Sequence, residues 1–107
     1  MGRYLFQGTY STDGIKGVMK DGGTGRRKAV EETIKALGGK LEAFYFAFGE
    51  TDVYVIVDGI DDTLAATFSM GVGASGALSA VKTTVLLTPE EIDRAVKTAL
   101  HYRAPGH

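Results

Sequence analysis

Tyr4, Tyr10, Tyr45, Tyr54, Lys82 and Thr84 carry the most chemical promise in this chain. All lie in stretches rich in aromatic and β-branched residues, as strands are. Any of them facing an enclosed apolar space would set phenol hydroxyls, an amine and an alcohol among hydrocarbon. That is the make-up of a small-molecule pocket. The expected ligand-binding set is Tyr4, Tyr45, Tyr54, Lys82 and Thr84. Tyr45, Tyr54 and Lys82 are the candidates for acid–base catalysis, because burial lowers a lysine's pKa toward that of a useful base. The plainer alternative carries more weight: tyrosines sit at the rims of cores, and Lys82 lays its stem along apolar surface with its amine in water.

Two glycine-rich stretches invite a phosphate. Gly71-x-Gly73-x-x-Gly76 matches a dinucleotide fingerprint letter for letter. The fingerprint needs strand, glycines, then helix, whereas the order here is helix, glycines, strand. These glycines therefore read as a helix terminator, at the end whose dipole repels anions. Asp21–Lys28 (DGGTGRRK) runs the other way, from glycines into a basic helix start, and makes Gly25, Arg26 and Arg27 a weak anion-binding set. It lacks the P-loop spacing, so a break between two helical pieces is the simpler account. Glu50 and Asp52 have acid–base or cation-holding spacing, but turns are acidic for local reasons. His101 and His107, the only histidines, lie at the C-terminal end, where no rigid support for a haem or metal is expected. No cofactor and no metal is expected.

The chain has 107 residues, 44% hydrophobic and 23% charged, which suits a single globular domain over 1–107. Net charge is −1 and no long basic run occurs, so neither nucleic acid nor an acidic membrane is an expected partner. Cysteine is absent, which excludes disulfides, thiolate nucleophiles and cysteine-held metals. No targeting segment or membrane-length apolar run is visible, and a cytoplasmic protein is expected.

Arg3–Tyr10 alternates as a first strand. It puts Tyr4, Phe6, Gly8 and Tyr10 on one face and Leu5, Gln7 and Thr9 on the other. Ser11–Asp13 offers helix caps, with Ile15, Val18 and Met19 as an apolar patch. The glycines at 22–25 break or bend that helix, and Arg26–Leu37 resumes it with Val30, Ile34 and Leu37 on one stripe. Gly38-Gly39 stops it. Leu41–Asp58 is a hairpin turning at Gly49-Glu50-Thr51-Asp52. Asp61 or Asp62 caps a third helical segment bearing Leu64, Ala65, Phe68 and Val72. Ser79–Leu87 is the fourth strand. Thr88-Pro89-Glu90-Glu91 opens a last helix with a capping box and an early proline, ahead of a frayed tail.

The predicted fold class is α+β: β-α-β-β-α-β with an antiparallel sheet plus a C-terminal helix, the ferredoxin-like order. Both main helical segments cover one sheet face. The other face is left bare, carrying either Phe44, Phe46 and Phe48 or Tyr45 with smaller neighbours, since a one-residue slip swaps the faces. Either set is too apolar for water, so two sheets are expected to pack face to face in a homodimer.

Leu37–Tyr45 followed by Phe48–Asp58 resembles GYD domain proteins, small bacterial and archaeal proteins of the dimeric α/β-barrel group. Thr9-Tyr10, Gly14-Ile15-Lys16 and the basic start Arg26-Arg27-Lys28-Ala29-Val30 also fit, and the likeness spans residues 3–91. Thr51 stands where the family's Gly-Glu-Tyr-Asp turn has tyrosine. The resemblance implies the fold and a homodimer or higher homo-oligomer, and no settled reaction. Its wider fold group includes cofactor-independent monooxygenases, stress-induced barrel proteins and haem proteins, and carrying those activities over would be analogy of fold. The expected function is a dimer with a pocket for a small apolar ligand between its sheets. The alternatives are a cofactor-independent monooxygenase- or isomerase-like enzyme on an apolar substrate, and a structural or assembly protein. A single-strand RNA binder ranks last, because Tyr54–Val57 lacks the basic-aromatic pattern.

Overall fold

The computed structural model describes residues 1–107. Seven elements follow in order: β1 (Gly2–Tyr10), α1 (Thr12–Ala36), β2 (Lys40–Phe46), β3 (Val53–Ile60), α2 (Asp62–Ala74), β4 (Leu78–Leu86) and α3 (Pro89–Val96). The strands form one antiparallel sheet in the order β2-β3-β1-β4. No helix is long and apolar enough to cross a membrane.

Each helix starts at a side chain that accepts from one of its free N–H groups. Ser11 accepts from the Gly14 N–H, Asp61 from the Leu64 N–H, and Thr88 with Glu91 completes a reciprocal capping box. The first two helical pieces expected from the sequence are joined in α1, which departs from helical geometry only at Gly22 (φ 75°). That backbone conformation suits glycine, so the bend falls there and not across the whole glycine run.

α1 and α2 lie on one face of the sheet. Ile34 from α1 and Ala65 and Phe68 from α2 close over Tyr4, Phe6, Val53, Val55 and Val57. The Phe6 and Phe68 rings meet edge to face at 4.8 Å. Ile34, Val57 and Ile60 are fully buried. The core is thin: 11 of 107 residues are buried, and α3 contributes none of them.

Strand register decides which hairpin face stays bare. Phe44 pairs with Val55 and Phe46 with Val53, so both phenylalanines share the helix-covered side. Tyr45 pairs with Tyr54, and Ala43 with Ile56, on the other side. A register shift between Leu41 and Ala43 accommodates this change of phase. Phe48 belongs to neither face and projects from the hairpin loop. The fourth strand starts at Leu78, one residue before the expected Ser79, because Leu78 pairs with Tyr10 after a second shift in register.

Candidate functional site

The bare face is built from alternate residues of four strands. Cross-strand partners point the same way, so register alone assembles its rows. One row is Tyr45, Tyr54, Gln7 and Lys82. The next is Ala43, Ile56, Leu5 and Thr84. Neighbouring strands lie about 4.8 Å apart, so each row spans roughly 14 Å. Two phenols, an amide and an amine thus stand side by side, flanked by an apolar row ending in a hydroxyl.

This arrangement brings together four of the five expected ligand-binding residues: Tyr45, Tyr54, Lys82 and Thr84. Tyr4 is the correction. It sits in the opposite face, 3% exposed, within the helix-covered core. Even-numbered positions of β1 all point there, and Tyr4 carries the Asp62 contact that ties β1 to α2. Its hydroxyl donates to Asp62 Oδ1 at 2.5 Å. That bond, then burial and the charges of Asp62 and Asp61, push the phenol up to about 12. Tyr10 points the same way, and burial raises its phenol as well, opposed by the Arg26 charge.

Gln7 is the residue sequence reasoning left out. Its place on the Leu5–Thr9 side was legible from alternation. Its place between Tyr54 and Lys82 needed the register of two strand pairs.

A charged rim closes one end of the face. Arg3 Nε donates to Glu42 Oε2 at 2.9 Å and Nη2 to Oε1 at 3.0 Å, a two-pronged grip across β3. Asp58 lies 3.7 Å from the same guanidinium. The hydrogen bond to Glu42 is the main reason the Arg3 pKa is raised. Rim charges of this kind orient a surface and repel wrong partners more than they add affinity.

The hairpin turn is structural. Asp52 Oδ2 accepts from the Tyr10 N–H at 2.9 Å, and the Asp52 N–H donates to the Gly8 carbonyl at 2.8 Å. The turn thereby continues the pairing of β1 beyond the strands, which occupies Asp52. Gly71 and Gly73 lie in the last turns of α2 and Gly76 follows it at φ 79°, as a helix end requires. No group of three metal-ligating side chains converges anywhere in the molecule.

The weak anion set lies on the helix side. Gly25, Arg26 and Arg27 are helical residues just past the Gly22 bend, not a loop. Arg26 faces Asp21 at 3.6 Å, and Arg27 lies along a surface hollow beside Glu31 and Leu41.

The GYD domain family model matches residues 4–96, and the chain belongs to that family. Comparison with curated proteins and with solved structures gives no match.

Proposed function

We propose that this GYD domain chain acts as a homodimer that holds a small apolar ligand between two sheets packed face to face. The strand order and the placement of both crossover helices on one face support a ferredoxin-like arrangement, and two such sheets closing on each other make a dimeric α/β barrel. The observation that carries the proposal is a pair of unpartnered surfaces on one chain. The Leu5–Ile56 face has no helix over it, and α3 with its tail has no core under it. Ile92, Val96, Leu100 and Tyr102 are all exposed along that arm.

A stable interface buries about 800 Å² of accessible surface on each partner. A second copy packed on the sheet face can cover the arm as well, because the arm leaves the sheet at the end of β4 and carries exposed apolar side chains within reach of the partner. Within the closed sheets, the tyrosines, Gln7, Lys82 and Thr84 become the few polar groups of a mostly apolar site.

Native mass spectrometry on protein purified without added ligand tests this. The expected result is a dimer with a discrete extra mass. Leu5→Glu puts a charge in the middle of the packed faces and is expected to give a folded monomer. A wild-type monomer would sink the proposal, and an empty dimer would remove the ligand from it.

A further inference from the structure

A separate cavity lies between the helices and the sheet, on the side of the molecule that the dimer leaves free. Its roof is α1 and α2 and its floor the central strands, with Phe6, Phe44, Phe68 and Val72 among its walls. It measures about 80 Å³. A single water needs about 10–15 Å³ on this scale and a benzene-binding cavity about 150 Å³, so the recess takes a short acyl chain or one edge of an aromatic ring, with the rest of the ligand at its open side. A largely apolar recess of this size leaves its walls short of the dispersion contacts that a ligand's hydrocarbon would supply.

Gly8 helps to keep the space open. A Cβ at this floor position would lie 2.9 Å from Leu78 Cδ1 and 3.2 Å from Val53 Cγ1.

One charged residue, Arg26, borders this mostly apolar space, whose other polar lining is Gln7, Ser69 and the Tyr10 phenol. Arg26 lines the cavity, the cleft between α1 and α2, and the polar hollow beside the Gly22 bend, so it stands where the three meet. Its side chain is one-third exposed. Its ion pair with Asp21, at 3.6 Å, exceeds hydrogen-bonding distance. The guanidinium fork therefore has donors to spare at the mouth of an apolar chamber, and a planar carboxylate is the group that fork fits. Tyr10 lines both the chamber and the hollow, adding a phenol at the same mouth.

We propose that this cavity is a second small-molecule site, one that takes a monocarboxylate whose apolar body is a short acyl chain or an aromatic ring inserted by its edge. The apolar end lies among Phe6, Phe44 and Phe68, and the carboxylate lies on Arg26. The site is complete within one protomer, so it stands or falls independently of the dimer.

Benzoate and hexanoate are the probes, with toluene as the neutral control, titrated into isotopically labelled protein and followed by NMR. Saturable shifts of the Val72 and Val30 methyls and the Phe68 ring are expected with both acids. Arg26→Gln is expected to weaken benzoate at least about tenfold, the scale of a lost charge-assisted bond, and to leave toluene unchanged. Val72→Phe, which fills the chamber, is expected to abolish both acids while the spectrum stays that of a folded protein. No saturable shift at millimolar acid would overturn the proposal. So would unchanged benzoate affinity in Arg26→Gln, or shifts confined to Tyr45, Tyr54 and Lys82, which would place the acids on the bare sheet face instead.

Discussion

Tyr4 shows how a residue with chemical promise is spent on structure. Its phenol is held by Asp62 in the helix-covered core, so it resists ionisation up to about 12. Unfolded, the same phenol ionises near 10. Above the lower value the unfolded chain sheds a proton that the folded chain keeps, so alkali favours unfolding. The Tyr4 contribution to stability is therefore complete below about pH 10 and lost as the pH climbs toward about 12. Urea midpoints measured across that range are expected to fall for the wild type and to fall less for Tyr4→Phe. A residual slope should persist in the variant, because burial raises Tyr10 too. Equal slopes in the two proteins would mean that the Asp62 bond does not hold the proton.

Among the elements, α1 depends on a close approach that no periodicity in the sequence announces. Gly14 sits one turn into that helix against the connection between α2 and β4. A Cβ there would come within 1.9 Å of the Ala77 carbonyl oxygen. The contact is fastened on both sides: the Ser11 N–H donates to Ala77 O at 2.9 Å, and the Ser11 hydroxyl donates to Gly76 O at 2.6 Å. Backbone cannot yield as a side-chain tip can, so Gly14→Ala must push the helix start away. A loss of about 1–3 kcal/mol is expected in urea unfolding, the range for overpacked sites. Gly17→Ala, where a Cβ meets nothing, serves as the control and is expected to be neutral or slightly stabilising. The Thr88 cap and the Gly38-Gly39 stop were legible, and the first cap was legible as one of Ser11–Asp13, because caps and stops are local chemistry. The bend at Gly22 was legible as a region and settled as a residue only by the path the helix takes over the sheet.

For the whole molecule, extension is the feature that asks for a partner. The radius of gyration is 16.9 Å and the long axis 56 Å. A compact chain of this length has a radius near 13 Å. The arm from Pro89 onward is the part that makes no core, and its apolar side chains stay exposed. In the proposed dimer that arm is a clasp, and its helix must form to present Ile92 and Val96 together. Thr88→Ala removes the cap, a loss of about 1 kcal/mol, which is about fivefold per arm and so roughly 25-fold for a symmetric pair. Dilution followed by analytical ultracentrifugation checks this. An unchanged dimer constant would leave the arm without a part in assembly.

Alternation in the strands, the apolar stripes of α1 and α2, the caps and the glycine stops were set by neighbours in the chain, so the sequence by itself determined the order of elements and one four-stranded sheet with helices on a single side. It also determined that Tyr45 and Tyr54 lie on the two arms of one hairpin. Which face each residue takes depends on register, and register is a property of strand pairs. The shift at Leu41–Ala43 turned Tyr45 outward and Phe44 and Phe46 inward, and the β1–β3 and β1–β4 registers joined Gln7 to the row of Tyr54 and Lys82. The grip of Arg3 on Glu42, the chamber beneath α1 and α2, and the position of Arg26 at its mouth join residues far apart in sequence. Only the tertiary structure could decide these, because each exists by the distance between elements and not by the preference of any one of them.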